Sequence, residues 1–76
     1  MQHNHNVLGQ NVAKFRRQRG WTQEELAAKL QLIGGNITPH ILANIETLRF
    51  AATDAQIAFF SEIFRVPVKK LIAGAN

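Results

Sequence analysis

The chain has 76 residues, 46% of them apolar, with one Trp, five Phe and a formal charge of +4. That length supports one small domain, which buries only about 60% of its unfolded surface. The absence of cysteine excludes a disulfide framework and thiol-based metal or redox chemistry and suits a reducing cytoplasm, and the apolar runs fall short of the about 20 residues that span a bilayer.

The opening MQHNHNV is polar and lacks the basic and long apolar regions of a secretory leader. Residues 1–6 therefore read as a flexible tail, 7–73 as the folded domain and 74–76 as a second tail. Leu8, Val12 and Phe15 recur at the spacing of one helix face, and Gly20 is placed to end that helix. Thr22 with Glu25 three positions on forms a capping box for a second helix, whose apolar side is Leu26, Ala27 and Leu30. Gly34-Gly35-Asn36 breaks it.

Thr38-Pro39 opens a third helix, a capping hydroxyl followed by proline at the first helical position. Ile41, Leu42 and Ile45 form its buried stripe. Thr53 with Gln56 is another capping box and starts a fourth helix, from Asp54 to about Phe64. Val66-Pro67 interrupts the chain before a short fifth helix over 68–73. No segment alternates at period two, so no strand is expected. These signals predict an all-α, compact five-helix bundle.

Two features point toward function. Lys14, Arg16, Arg17 and Arg19 fall within six residues, a density that either marks a polyanionic partner, nucleic acid first, or a solvated face. On the third helix, His40, Ala43, Asn44 and Thr47 point away from the buried stripe. That outward face holds no acid and no large aliphatic group. Asn44 and His40 could hydrogen-bond base edges, and Ala43 and Thr47 could offer methyls to thymine. His3 and His5 form His-x-His in the tail, a spacing more simply accidental than metal-binding.

The pattern Leu8-Gly9, Val12, Phe15-Arg16, Gly20-Trp21-Thr22-Gln23, Glu25-Leu26-Ala27 and Ile45-Glu46, continued by Thr53-Asp54, Ile57, Phe60, Val66 and Leu71, resembles the phage-repressor-like (Xre-type, Cro-like) helix-turn-helix family of transcription regulators. The resemblance runs over roughly residues 7 to 73. It implies a lambda-repressor-like DNA-binding domain with the third helix, about residues 38–47, entering the major groove of double-stranded DNA. Thr22 and Gln23 would then grip a phosphate at the second helix's N-terminus, and Arg49 would touch the backbone beyond the third helix. Thr38, Pro39, His40, Ala43, Asn44 and Thr47 complete the implied DNA-binding set. Arg16 and Glu46 occupy the positions of a structural ion pair between helices one and three.

Three departures from the family pattern carry information. The segment QLIGGNI lengthens the turn between helices two and three, which bears on the angle at which helix three approaches DNA. Leu48 stands where glycine is usual, so helix three needs another exit, and Leu48 and Phe50 bring apolar groups near the DNA face. Pro39 replaces a long polar reading residue, which shifts the expected recognition toward DNA shape and backbone contacts.

Helix four carries apolar groups on two sides: Ile57, Phe60 and Phe64 on one, Phe59 and Ile63 on nearly the opposite one. Either its neighbours enclose it, or Phe59 and Ile63, with Val68 and Ile72, form a homodimer interface. The combined expectation is a non-enzymatic, cytoplasmic, homodimeric regulator of transcription with no metal, cofactor, membrane or small-molecule ligand. The alternative is a protein-interaction module on the same scaffold.

Overall fold

The computed structural model describes residues 5–73 of the chain. Residues 1–4 of the tail expected at 1–6, including His3, and the tail expected at 74–76 lie outside the described residues. Five helices follow in order: α1 (His5–Gln18), α2 (Gln23–Leu32), α3 (Pro39–Glu46), α4 (Asp54–Phe64) and α5 (Val68–Leu71). The described residues hold no strand, and the bundle measures 31 × 22 × 19 Å.

Two element boundaries differ from expectation. Helix α1 begins at His5, two residues inside the expected tail. A helical amide bonds to the carbonyl four residues back, so holding buried Leu8 and Gly9 in the helix draws residues 5 and 6 into its first turn. Helix α5 stops at Leu71 rather than at 73.

The starts of α2, α3 and α4 are set by local chemistry. The Thr22 hydroxyl accepts from the Glu25 amide at 3.0 Å while Glu25 accepts from the Thr22 amide at 2.8 Å. Thr53 and Gln56 repeat the arrangement at 3.1 and 2.9 Å. Thr38 accepts from the Ile41 amide at 3.1 Å, with Pro39 at the first helical position.

The ends of these helices share one device. After α1, α2, α3 and α4 the chain turns through a left-handed residue, and the next amide reaches back to a carbonyl five positions earlier. The pairs are Trp21 to Arg16 at 3.1 Å, Gly35 to Leu30 at 2.8 Å, Arg49 to Asn44 at 2.8 Å and Val66 to Ser61 at 3.2 Å. Gly20 and Gly34 serve as the left-handed residue after α1 and α2, but Leu48 (φ 68°) and Arg65 (φ 58°) do so after α3 and α4. The expectation that Leu48 forces a different exit from α3 is therefore corrected. The chain keeps the glycine-type exit and accepts a strained leucine, because the Arg49–Asn44 bond satisfies an otherwise orphaned carbonyl.

The core joins Leu8 and Val12 of α1, Leu26 and Leu30 of α2, Leu42 and Ile45 of α3, Ile57, Phe60 and Phe64 of α4, and Leu71 of α5. Ile37, in the long turn, is buried with them. The turn is thus anchored to the core, and Gly35 sits where a Cβ would meet the Phe59 ring at 3.1 Å. Phe59 and Ile63 pack half-buried against this same core, so the neighbours of α4 cover much of its second apolar side.

Helix α1 approaches α3 so closely at Gly9 that a Cβ there would run into the Ile45 carbonyl oxygen and stand 2.8 Å from Leu48 Cδ2. Both obstructing groups belong to the end of α3. Replacing Gly9 by Ala is expected to destabilise the fold by about 2 kcal/mol through overpacking, lowering the melting temperature by roughly 10 °C in a domain of this size. A thermal melt followed by circular dichroism checks it, and an unchanged midpoint would contradict this close approach.

Candidate nucleic-acid interface

Helix α3 lies against both α1 and α2, and its position is set by one polar network. Arg16 donates from Nε to Glu46 Oε2 at 2.8 Å and from Nη2 to Oε1 at 3.0 Å. Its Nη1 donates to the Trp21 carbonyl at 2.8 Å, and the Gln23 side-chain amide adds a third hydrogen bond to Glu46 at 3.0 Å. One guanidinium thus ties α1 to the turn before α2 and to the last residue of α3. The side chains of Arg16 and Glu46 are only 11% and 4% exposed. A two-pronged geometry with every partner satisfied is the condition under which a buried pair is tolerated.

Hydrogen bonding to Glu46 is the main cause that holds the Arg16 guanidinium above its ordinary pKa; burial opposes this and the attraction of Glu46 adds to it. A cation whose pKa is raised by folding contributes stability at every pH below its ordinary value. That contribution is therefore undiminished throughout the neutral and mildly alkaline range.

The outward side of α3 is open. Thr38, Pro39, His40 and Thr47 are exposed, as is Arg49 beyond the helix, while Ala43 and Asn44 are half-buried. Several polar groups on this side are already engaged. The Asn44 amide donates to the His40 carbonyl at 3.0 Å and lies 3.2 Å from His40 Nε2. The Thr47 hydroxyl donates to the Ala43 carbonyl at 2.7 Å, and the Thr38 hydroxyl serves as a cap. Of the pair expected at the start of α2, exposed Thr22 is a capping residue, and half-buried Gln23 is bonded into the Arg16–Glu46 network. Leu48 and Phe50 border this side at 43% and 48% exposure.

A second cluster escaped the sequence reading. Arg19 donates to the Phe15 carbonyl at 3.2 Å and the Phe64 carbonyl at 2.5 Å. Its guanidinium carbon lies 5.0 to 5.9 Å from the ring centres of Phe64, Phe15 and Trp21. Arg19 therefore fastens the end of α1 to the end of α4 while remaining exposed. Only the fold brings Phe64, 45 positions away, beneath it.

Among the described residues no group of three or more His, Asp or Glu is placed to hold a metal ion, and no described helix is long and apolar enough to cross a membrane. Comparison of the chain with protein-family models, with curated proteins and with solved structures finds no match in any of the three.

Removing the Glu46 carboxylate leaves the largely covered Arg16 guanidinium without its counter-charge, with the Trp21 carbonyl still accepting from it. Glu46→Ala is expected to lose about 3–5 kcal/mol in urea unfolding, with the same loss at about pH 7 and about pH 9 because Arg16 remains charged at both. A loss below about 1 kcal/mol would be that of an ordinary surface pair. Arg19→Ala should lose about 1–2 kcal/mol by removing a carbonyl hydrogen bond and ring contacts, and Arg19→Lys should recover only part of it.

Proposed function

We propose that this protein is a non-enzymatic, sequence-preferring DNA-binding regulator of transcription that inserts α3 into the major groove. The observation that carries the reading is the open outward side of α3, on a helix held from behind by the Arg16–Glu46–Gln23 network. A rigidly held helix with an uncovered outer side suits groove insertion. Base contacts would come from His40, Asn44 and Thr47, and the methyl of Ala43 would meet thymine. The internal bonds of Asn44 and Thr47 must yield or be shared for direct reading. This, with Pro39, favours a modest base code supplemented by DNA shape.

Phosphate contacts fall to the N-terminal amides of α2 near Thr22 and Gln23, to Thr38, and to Arg49. A homodimer would place two α3 helices about 34 Å apart on a two-fold-related site. Phe59 and Ile63 are largely committed to their own core, which leaves exposed Val68 and half-buried Ile72 as the better-placed part of the expected dimer contact. The cytoplasm is the compartment consistent with this function.

The exposed Leu48 and Phe50 favour one rival, a protein-interaction module that meets its partner with the end of α3. Two measurements separate the readings. Selection of bound fragments from random DNA should yield a two-fold-related site, with affinity falling as salt rises at a log–log slope of roughly −4 if four to five phosphates are neutralised. The double variant His40→Ala/Asn44→Ala should lose about tenfold or more on that site, given the 1–3 kcal/mol typical of a good base contact. DNA binding indifferent to this variant and to salt would overturn the regulator reading.

A further inference from the structure

The charges of this molecule are unevenly placed. All five carboxylates (Glu24, Glu25, Glu46, Asp54 and Glu62) lie on α2, α3 and α4. Helices α1 and α5 carry none, yet they present Lys14, Arg17, Lys69 and Lys70 exposed to solvent. The outward side of α3, by contrast, has Arg49 as its exposed cation among the residues assigned to it above.

Three of these cations line one open groove of about 860 Å³ between α1 and α5: Lys14, Lys69 and Lys70, with Asn11, Phe15 and Gln18. The groove is built rather than incidental. Asn11, on α1, donates from Nδ2 to the carbonyls of Leu71 at 2.6 Å, Ala73 at 3.2 Å and Lys70 at 3.3 Å. That side chain satisfies the end of α5 and holds its lysine pair beside Lys14. The lysines are therefore not needed to cap those carbonyls.

The groove and α3 lie on opposite sides of α1. Lys14 and Arg16 are two residues apart, about 200° of helical rotation; Arg16 points to Glu46 of α3, and Lys14 lines the groove. A straight duplex seated on α3 would therefore lie on the far side of α1 from the groove.

We propose that the α1–α5 groove is a second, sequence-independent binding surface for the phosphate backbone of DNA, through which the protein joins two duplex segments. The inference rests on the reading of α3 as a DNA-facing helix. Four exposed cations uncompensated by any carboxylate on their own helices create the local field that attracts a polyanion. Lysine ammonium groups meet phosphates as point charges, and a row of such charges suits the evenly spaced phosphates of a duplex without reading its sequence. The one aromatic ring in the groove is already engaged: Phe15 is half-buried, 5.6 Å from the Phe64 ring, with Lys14 Nζ 5.4 Å and the Arg19 guanidinium 5.6 Å from its centre. Stacking of bases on it would have to displace these neighbours, which favours backbone contact over base contact. A second copy meeting this groove about a two-fold axis would set lysines against lysines, so self-association through it is disfavoured.

The test is a two-duplex bridging assay, in which one duplex carrying the selected site is fixed to beads and a labelled duplex of unrelated sequence is recovered with it. The wild-type chain should recover the labelled duplex. The triple variant Lys14→Gln/Lys69→Gln/Lys70→Gln should reduce recovery about tenfold while keeping affinity for the selected site within about threefold, since three fewer phosphate contacts act on the second duplex alone. The all-arginine triple variant, which keeps the charge, should retain recovery, and unchanged melting temperatures exclude unfolding as the cause.

Recovery that survives the glutamine triple variant overturns the inference and leaves the regulator reading intact, as does a wild-type chain that binds its site but never recovers a second duplex. Conversely, lysine-dependent binding of DNA without any sequence preference, and indifferent to His40→Ala/Asn44→Ala, supports the groove as a phosphate-binding surface but overturns the regulator reading and, with it, the joining of two duplexes. Preferential displacement of the second duplex by polyglutamate at equal charge would show an acidic protein to be the partner and overturn the inference.

Discussion

A single guanidinium organises the half of the molecule that holds α3. Arg16 leaves α1 and reaches the last residue of α3, the carbonyl of Trp21 before α2, and, through Glu46, the Gln23 side chain. Apolar packing alone would let α3 slide or roll on α1, because contacts between aliphatic side chains have little directional preference. The two-pronged Arg16–Glu46 contact has direction, and it fixes where the helix ends. Gly9 gives the same restraint a steric counterpart, since its missing side chain lets α1 meet the Ile45 carbonyl directly. Attraction on one side and a hard stop on the other define the seat of α3.

The strain in the fold lies around that seat. Leu48 and Arg65 occupy the left-handed region, where a side chain ordinarily costs of order 1 kcal/mol. At Leu48 the strained conformation directs the chain out of α3, lets Arg49 close the helix end, and puts Leu48 Cδ2 over Gly9. A glycine at this position would remove the strain together with that apolar contact. Arg65 is held comparably, with the Ser61 hydroxyl donating to the Val66 carbonyl at 2.5 Å across the same turn.

Electrostatics and shape divide the surface differently. The outward side of α3 is modest in charge, and the strongest concentration of exposed cations is on α1 and α5, away from it. In a domain whose surface is large relative to its core, two unlike faces can be maintained by helices that share one interior. Arg16 is withdrawn from the exposed field by Glu46, whereas Arg19 stays exposed but is engaged by the Phe64 carbonyl and three rings.

Local chemistry made much of this fold legible in advance. Thr22 with Glu25, Thr38 with Pro39, and Thr53 with Gln56 announced three helix starts, because a capping side chain and the amide it serves lie three residues apart in the chain itself. The spacing of Leu26, Leu30, Leu42, Ile45, Ile57, Phe60 and Phe64 likewise located the core, since helical periodicity is a property of sequence. The Arg16–Glu46 pair was legible only through resemblance. Tertiary structure alone decided the rest: that Gln23 bonds to Glu46, that Arg19 spans 45 positions to Phe64, that Leu48 takes the left-handed exit, and that Asn11 draws Lys69 and Lys70 beside Lys14. Each depends on groups distant in sequence or on a backbone angle stabilised by packing. No local rule encodes such partners, because they exist only once the helices have met.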